Sequence, residues 1–221
     1  MMMNIFNIFD PSTSLYFSLN WLSMFIIFFF IPIQFWIIPS RLFMLWNFVL
    51  NYLIKEFKII LSFSFSNLII FMGLFSIILW NNFMGLFPYI FTSSSHMSFC
   101  LSLSLTLWIS IMLFGWINFY NHMFTHLTPT NTPTILMPFM VMIEFISLII
   151  RPITLSIRLT ANMIAGHLLL SLLGSSGQKI NLMFLSLMIF TQLLLFILEI
   201  SVSMIQAYVF SILSLLYSSE I

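Results

Sequence analysis

The sequence predicts an all-α integral membrane protein made of one membrane domain, and three observations lead to this fold class. Apolar residues make up 62% of the 221 positions. Charged residues make up 5%, whereas soluble domains carry about 25%. The apolar residues form long unbroken runs, without the alternation typical of a membrane β-barrel. We therefore expect about three transmembrane helices, one amphipathic surface helix and a long, strongly tilted two-helix membrane hairpin.

The spans of the first half of the chain are predicted from the length of a membrane helix, which needs about 20 apolar residues. Residues 19–38 are predicted to form a first span that ends at Pro39. Residues 40–64 place three basic side chains and Glu56 among apolar ones, which is typical of an amphipathic helix on the membrane surface. Residues 67–119 follow as a helical hairpin, in which two spans are joined by a polar loop.

The second half, residues 135–217, holds two apolar runs that are too long for ordinary spans. The runs 135–173 and 180–217 would each reach about 57 Å as straight helices, which is nearly twice the thickness of the hydrocarbon core. They must tilt, protrude or kink, and Pro152 offers a kink in the first run. The Gly- and Ser-containing stretch 174–179 is predicted to be the turn of this tilted hairpin.

The orientation follows from the basic residues. Three of them against Glu56 give the surface segment a net charge of +2, which places it on the cytoplasm-like face of the membrane. Alternation through five apolar segments then places the N-terminus and the turn around Lys179 outside, and Glu220 inside. The N-terminal stretch resembles neither a transit peptide nor a secretory signal. The chain has 28 Phe and 17 Met but three Ala and four Val, a bias expected of a very A/T-rich organelle gene.

Most of the remaining charge lies within the two long runs, at Glu144, Arg151, Arg158 and Glu199. A charged side chain at the membrane centre costs about 2.5 to 3.5 kcal/mol on insertion scales, so such residues usually face protein or water and mark an ion path. The three charges of the first run recur every seven residues and fall within about 40° of one helix face. A shared snorkelling position at one interface would also explain Arg151 and Glu144, whereas Arg158 lies near the middle of its run.

Uncharged polar and small residues follow the same helix faces. Asn162 lies one turn beyond Arg158, and Glu199 and Gln206 are seven residues apart in the second run. Small residues in a chain rich in Phe and Leu predict a surface that another helix approaches closely. A tight contact between the two runs themselves would also explain them. The three alanines of the chain all lie beside these polar seams, at Ala161, Ala165 and Ala207.

Four stretches of the sequence match a known family. They are RPITLSIRLTANMIAGH at residues 151–167, NNFMGLFPY at 81–89, LMPFMVMIE at 136–144 and MIQAYVF at 204–210. On these residues the chain resembles subunit a of rotary ATP synthases in its mitochondrial form, and the insect members most closely. The resemblance spans essentially the whole chain, including the surface helix after the first span.

The resemblance implies a proton-translocating stator subunit of a rotary F-type ATP synthase. Such a subunit forms two offset half-channels that load and unload carboxylates on a rotor ring of proteolipid c subunits. Other stator and peripheral-stalk subunits and the lipid bilayer would be its further partners. The resemblance also implies a multi-pass location in the mitochondrial inner membrane, with the N-terminus in the intermembrane space and the C-terminus toward the matrix.

The same resemblance implies a role for each ionisable candidate. Arg158 corresponds to the essential cation between the half-channels, because a guanidinium cannot deprotonate and hand a proton across. His167 and Glu199 correspond to the relay of the outer half-channel, since imidazole and carboxyl groups both exchange protons. Hydrogen bonding alone would also explain His167. Glu144 corresponds to the acid of the inner half-channel.

The remaining candidates would support these groups. Asn162 and Gln206 would orient water or Arg158, although ordinary hydrogen bonds between helices would also explain them. The three alanines would face the rotor ring.

The spacing along the chain does not by itself predict how the relay residues pair. A simple hairpin that turns near Gly177 would place Arg158 opposite about residue 197. The same hairpin would leave His167 short of Glu199. A kink, a skewed crossing or an asymmetric turn would be needed to bring the two relay residues together.

Other functions have less support. The sequence has no glycine-rich phosphate-binding loop, so ATP would be made elsewhere and the chain would not be an enzyme on its own. A single Cys100 offers no thiolate metal cage, no cofactor is expected, and a net charge of +1 does not favour nucleic acid. The alternative is a membrane subunit of a respiratory-chain complex or a proton-coupled transporter. Against it, no internal repeat is evident, and the other histidines lie in or beside loops, at His96, His122 and His126.

Overall fold

A computed structural model describes residues 5–13, 16–32, 34, 36–61, 65–128, 133, 135–177 and 181–219. Every regular element in these ranges is a helix, which confirms the all-α fold class. Short 3-10 helices occupy Ile5–Phe9, Leu19–Ile26 and Ser93–Ser95. The α-helices are α1 (Ile27–Phe30), α2 (Arg41–Ile60), α3 (Phe65–Gly85), α4 (Met97–Asn118), α5 (Tyr120–Leu127), α6 (Met137–Gly177) and α7 (Leu182–Ser219).

Four of these helices are long and apolar enough to cross a membrane. Their apolar portions are Asn67–Gly85, Met97–Asn118, Met137–Gly177 and Phe184–Ser219. The first two correspond to the predicted hairpin of ordinary spans. The last two belong to helices of 41 and 38 residues, which are the long arms of the second predicted hairpin.

The predicted first span at 19–38 is shorter in the structure. Its helical part is Leu19–Phe30, which is shorter than the four helices that are long enough to cross. Pro32 lacks a backbone N–H and disfavours helical geometry at the residue before it, so a helix cannot continue smoothly through this point. Bends follow at 36–38, and residues 33 and 35 lie outside the described part of the chain.

The predicted surface segment is a helix, α2, with a polar start and one buried face. The Ser40 hydroxyl accepts a hydrogen bond from a backbone N–H of the first turn, a cap that stabilises helix starts. Leu53 and Phe57 are buried against α3 and α7. The rings of Trp46 and Trp80 lie 5.5 Å apart, and Trp80 is about 22 Å along α3 from its start. The helix therefore leans along α3, and its placement on a membrane surface stays a prediction.

The core lies where the two hairpins pack together. Helix α3 packs along α7, α4 packs along α6, and the short helix Ser93–Ser95 contacts both α3 and α6. Buried apolar side chains from α2, α3, α4, α6 and α7 form one continuous cluster. This arrangement holds the long hairpin of α6 and α7 against a scaffold, with one side of α6 left exposed.

The predicted turn at 174–179 begins later in the structure. Helix α6 continues through Pro152 and ends at Gly177, so the two glycines of this stretch are helical. Gly177 permits close approach of α7, because a Cβ there would lie 3.2 Å from Met188, whereas a Cβ on Gly174 would make an ordinary contact with Gln192 at 3.6 Å. Residues 178–180, with Lys179, and the C-terminal Glu220 and Ile221 lie outside the described part of the chain.

Candidate functional site

The contacts of three glycines fix the register of α6 against α7. In each contact the two residue numbers add up to 365 or 366, so the helices run antiparallel about a pivot near residues 182 and 183. The contacting pairs are Gly166 with Glu199, Gly174 with Gln192, and Gly177 with Met188.

This register corrects the expectation of a simple turn near Gly177. Because α6 continues through that residue, the partners on α7 are shifted toward the C-terminus. Glu199 now lies directly against Gly166, where an added Cβ would approach its Cδ and Oε1 to 2.9 Å. Gly166 precedes His167 in the sequence, so the two relay candidates share one level of the hairpin. In the same register, Arg158 on α6 lies at the level of residue 207 on α7.

A cleft of about 190 Å³ separates α3, α6 and α7 at this level. Four candidates from the sequence line it together, namely Asn162, Ala165, Glu199 and Gln206. Asn82 and Ser203 complete its polar lining. The seven-residue spacing of Glu199 and Gln206 on α7 therefore brings both side chains to the same cavity.

Glu199 is the most deeply placed acidic side chain of the described residues. It is 7% exposed, and neither carboxylate oxygen has a hydrogen-bond partner there. A buried carboxylate without partners is costly unless water or an opposite charge reaches it. Such a group binds or releases a proton according to what enters the cleft beside it.

His167 follows Gly166 on α6, so it is one residue beyond the contact with Glu199, and its side chain lies against the end of α3. Its imidazole interacts with the backbone carbonyl of Gly85, and its ring meets Phe9 edge-on at 6.4 Å between centroids. The buried Nε2 atom has no hydrogen-bond partner in the described chain. His167 and Glu199 are therefore close in level but do not bond each other through these atoms.

Arg158 is not among the residues that line the cleft. Its side chain is exposed, and so are Ala161 and Ala165 on the following turns, whereas Leu155 and Leu159 are buried against the scaffold. The one ion pair among the described residues does not include Arg158. The exposed face of α6 thus presents a guanidinium flanked by small side chains.

Ala207 does not belong to that face. Its side chain is fully buried within the chain, in the core cluster formed with α3. The small side chain allows α7 to pack closely on α3, so the expectation that Ala207 faces a rotor is wrong.

Glu144 occupies the other end of α6, about 35 Å from His167 along the helix. Its Oε1 lies 3.8 Å from Nη2 of Arg151, and both side chains are partly exposed. The guanidinium of Arg151 also stacks over the Tyr217 ring, 4.9 Å from its centroid. Glu144 and Arg151 are therefore paired with each other, and both the inner-channel role of Glu144 and its interfacial alternative stay predictions.

Sequence reasoning missed the role of Asn82 in the cleft. The residue is 1% exposed and its side-chain amide has no partner in the described chain. The signal that could have found it is the pair Asn81 and Asn82 near the end of an apolar helix that carries no charge.

A long antiparallel membrane hairpin that buries a carboxyl group beside a cleft and displays an arginine on its outer face defines a proton-translocating membrane subunit. The sequence model of the ATP synthase A chain family matches residues 17–219. The chain belongs to this family, ATP synthase subunit a, which is the proton-translocating stator subunit of the Fo sector.

The relatives cover the whole chain. ATP synthase subunit a of Drosophila melanogaster is 57% identical, that of Anopheles gambiae 56% and that of Locusta migratoria 57%, each over 100% of both chains. The predicted resemblance to subunit a is confirmed. A respiratory-chain subunit or a transporter of another class is not favoured.

Proposed function

We propose that α6 and α7 carry two offset half-channels and that Arg158 is the fixed cation between them. The observation that carries this proposal is the position of Arg158 relative to the cleft. Arg158 is exposed on α6 and does not line the cleft, whereas Glu199 is buried in it. A permanent guanidinium cannot relay a proton. It attracts each arriving ring carboxylate and prevents protons from passing straight between the two water paths.

The outer half-channel runs through the cleft to Glu199. His167 supplies a second titratable group at the same level, and Asn162 and Gln206 provide amides that orient water in the cleft. Support comes from the register, since it brings Glu199 against the residue that precedes His167. A proton would pass from the outer water to Glu199 and then to an ionised ring carboxylate, which it neutralises.

The inner half-channel uses Glu144, at the opposite end of α6. Its carboxylate lies near Arg151 in a partly exposed position. A carboxylate so placed accepts a proton released from the ring and passes it to the inner aqueous phase.

The partner that fits the exposed face of α6 is the rotor ring of c subunits. Ala161 and Ala165 are small and exposed beside Arg158, so another helix can approach the backbone closely there. The other stator and peripheral-stalk subunits and the lipid bilayer would cover the remaining apolar surface. The chain would perform no nucleotide chemistry itself, and ATP would be formed elsewhere in the complex.

The location that fits these features is the mitochondrial inner membrane. The relatives are ATP synthase subunits of insects, and the A/T-type residue bias agrees with a gene carried by the organelle. The basic residues of 40–64 favour a matrix position for that segment. The N-terminus would then lie in the intermembrane space and the C-terminus toward the matrix.

The experiment that tests this proposal compares Arg158→Lys with Arg151→Lys in the whole ATP synthase, reconstituted into lipid vesicles. A lysine keeps the charge but is not locked in the protonated state. We expect Arg158→Lys to abolish ATP-driven proton pumping while the subunit still assembles. Arg151→Lys, in the pair with Glu144, should keep most of the pumping. Pumping at the wild-type rate by Arg158→Lys would contradict the proposal.

A further inference from the structure

Buried polar atoms without partners are concentrated at one end of the molecule. Within the described residues, all of them belong to three places: the end of α3, the loop before α4, and the relay level of the long hairpin. The residues are Trp80, Asn81, Asn82, Ser94, His96, His167 and Glu199. Native proteins satisfy nearly all buried polar groups, and those without a protein partner are normally satisfied by internal water.

The polar loop, residues 92–96, connects this group to the surface. Its Thr and three Ser side chains are buried, although the loop joins two membrane helices. The Ser93 hydroxyl donates a hydrogen bond to Oδ1 of Asn81, with 3.3 Å between the oxygens. The next residue, Asn82, lines the same cleft as Glu199. Polar side chains therefore lie both at the loop and in the cleft of the buried carboxyl group, with Asn81 and Asn82 consecutive on α3 between them.

His96 lies at the loop end of these polar side chains. The ring is half-buried and fixed between Trp21 and Phe91, with centroid distances of 5.1 and 5.2 Å. Its Nε2 atom is buried. No Asp, Glu, Lys or Arg occurs between Lys58 and Glu144 in the sequence, so His96 is the residue through which the polar loop adds an imidazole to these side chains.

We propose that His96 is the outermost proton-relay residue of the outer half-channel, and that water held by Ser94, Asn81 and Asn82 connects it to Glu199. The inference rests on the proposed function and extends it to a second helical hairpin. A proton from the outer phase binds one nitrogen of the neutral imidazole, and the proton on the other nitrogen passes to the adjoining water. The ring is neutral again after the transfer, so no charge accumulates, but it is left as the other tautomer. Proton exchange with water at both nitrogens restores the first tautomer before the next transfer.

The first test removes the titratable group and keeps the aromatic packing. His96→Phe should lower proton flux in the reconstituted enzyme about tenfold, as expected for the loss of a proton-transfer group. It should also change the dependence of the rate on outer pH, because the path loses an imidazole. His122→Phe is the matched control, because that exposed histidine lies on α5, outside this set of polar side chains. Wild-type flux and pH dependence in His96→Phe would overturn the inference.

A second test distinguishes a relay from a structural role. In His96→Gly, imidazole added to the outer medium should restore flux, and no rescue would count against proton relay at this position. Were this variant not to assemble, water access to Ser94 provides the decisive measurement.

That measurement uses Ser94→Cys in a Cys100→Ser background, with silver ion added from the outside. Silver should block proton flux in Ser94→Cys. It should not affect Ser211→Cys, since Ser211 is fully buried and its hydroxyl is bonded within α7. Flux loss in Glu199→Gln together with a silver-insensitive Ser94→Cys would overturn this inference and leave the proposed function standing. Undiminished flux in Glu199→Gln would overturn the proposed outer half-channel itself.

Discussion

Polar side chains find their partners in different ways at the two ends of helix α6. At the Glu144 end, charge is paired directly, since Glu144 contacts Arg151 and the latter stacks on Tyr217. At the His167 end, both His167 and Glu199 bury polar atoms that have no partner in the described chain. Direct pairing holds side chains in place, whereas buried groups without partners require water. The contrast indicates a structural clamp at one end and a hydrated path at the other.

The largest expected loss of proton flux comes from removing the buried carboxyl group at the His167 end. Glu199→Gln keeps the volume but cannot bind and release a proton, so proton flux should fall about 100-fold. The matched control is Glu56→Gln, because Glu56 accepts a hydrogen bond from Tyr208 outside the cleft. Flux is measured by the pH change of reconstituted vesicles driven by ATP. Equal rates of proton flux in the two variants would show that Glu199 is not part of the proton path.

A smaller effect is expected from crowding the same carboxyl group. In Gly166→Ala the new Cβ would lie 2.9 Å from the Cδ of Glu199, so the side chain must move. Misplacing a reacting group by about 1 Å can reduce a rate 100-fold, and we expect about a tenfold loss of flux here.

Gly174→Ala is the control for this change, since its Cβ would be 3.6 Å from Gln192, an ordinary contact. The two variants should assemble to the same level. A Gly174→Ala enzyme as slow as Gly166→Ala would show that helix packing, rather than the position of Glu199, sets the rate.

The smallest effect is expected where Arg151 pairs with Glu144 and stacks on Tyr217. Tyr217→Leu removes the ring over which the Arg151 guanidinium lies, and a partly exposed cation–π contact contributes about 0.5 to 1 kcal/mol. Thermal unfolding of the detergent-solubilised complex should shift to slightly lower temperature, with proton flux unchanged. A large loss of flux without a change in stability would show that this contact also positions Glu144 for the inner half-channel.

The sequence predicted the parts of the molecule that depend on periodicity. Long apolar runs became α6 and α7, and the seven-residue spacing of Glu199 and Gln206 placed both in one cleft. The exposed position of Arg158 also agrees with a residue near the middle of its run that serves a partner outside the chain.

Other parts depend on tertiary packing, which periodicity does not encode. Gly177 looked like a turn residue, but its missing side chain serves the close approach of α7, and this changed the register of the hairpin. Ala207 looked like a rotor-facing residue for the same reason and proved to be a core contact. Asn82 was overlooked because nothing in the sequence showed that α3 borders the cleft.

The central claim is that one guanidinium keeps two water paths apart, and passive proton leak through the whole complex tests it most directly. The complex is reconstituted with its rotation blocked, and proton permeability is measured under an imposed pH difference. Arg158→Ala removes the fixed charge, so the leak should rise about tenfold or more, at a driving force of about 2.3 kcal/mol per proton per 100 mV. Arg151→Ala should remain as tight as the wild type. A tight Arg158→Ala complex, or an equal leak in both variants, would contradict the account.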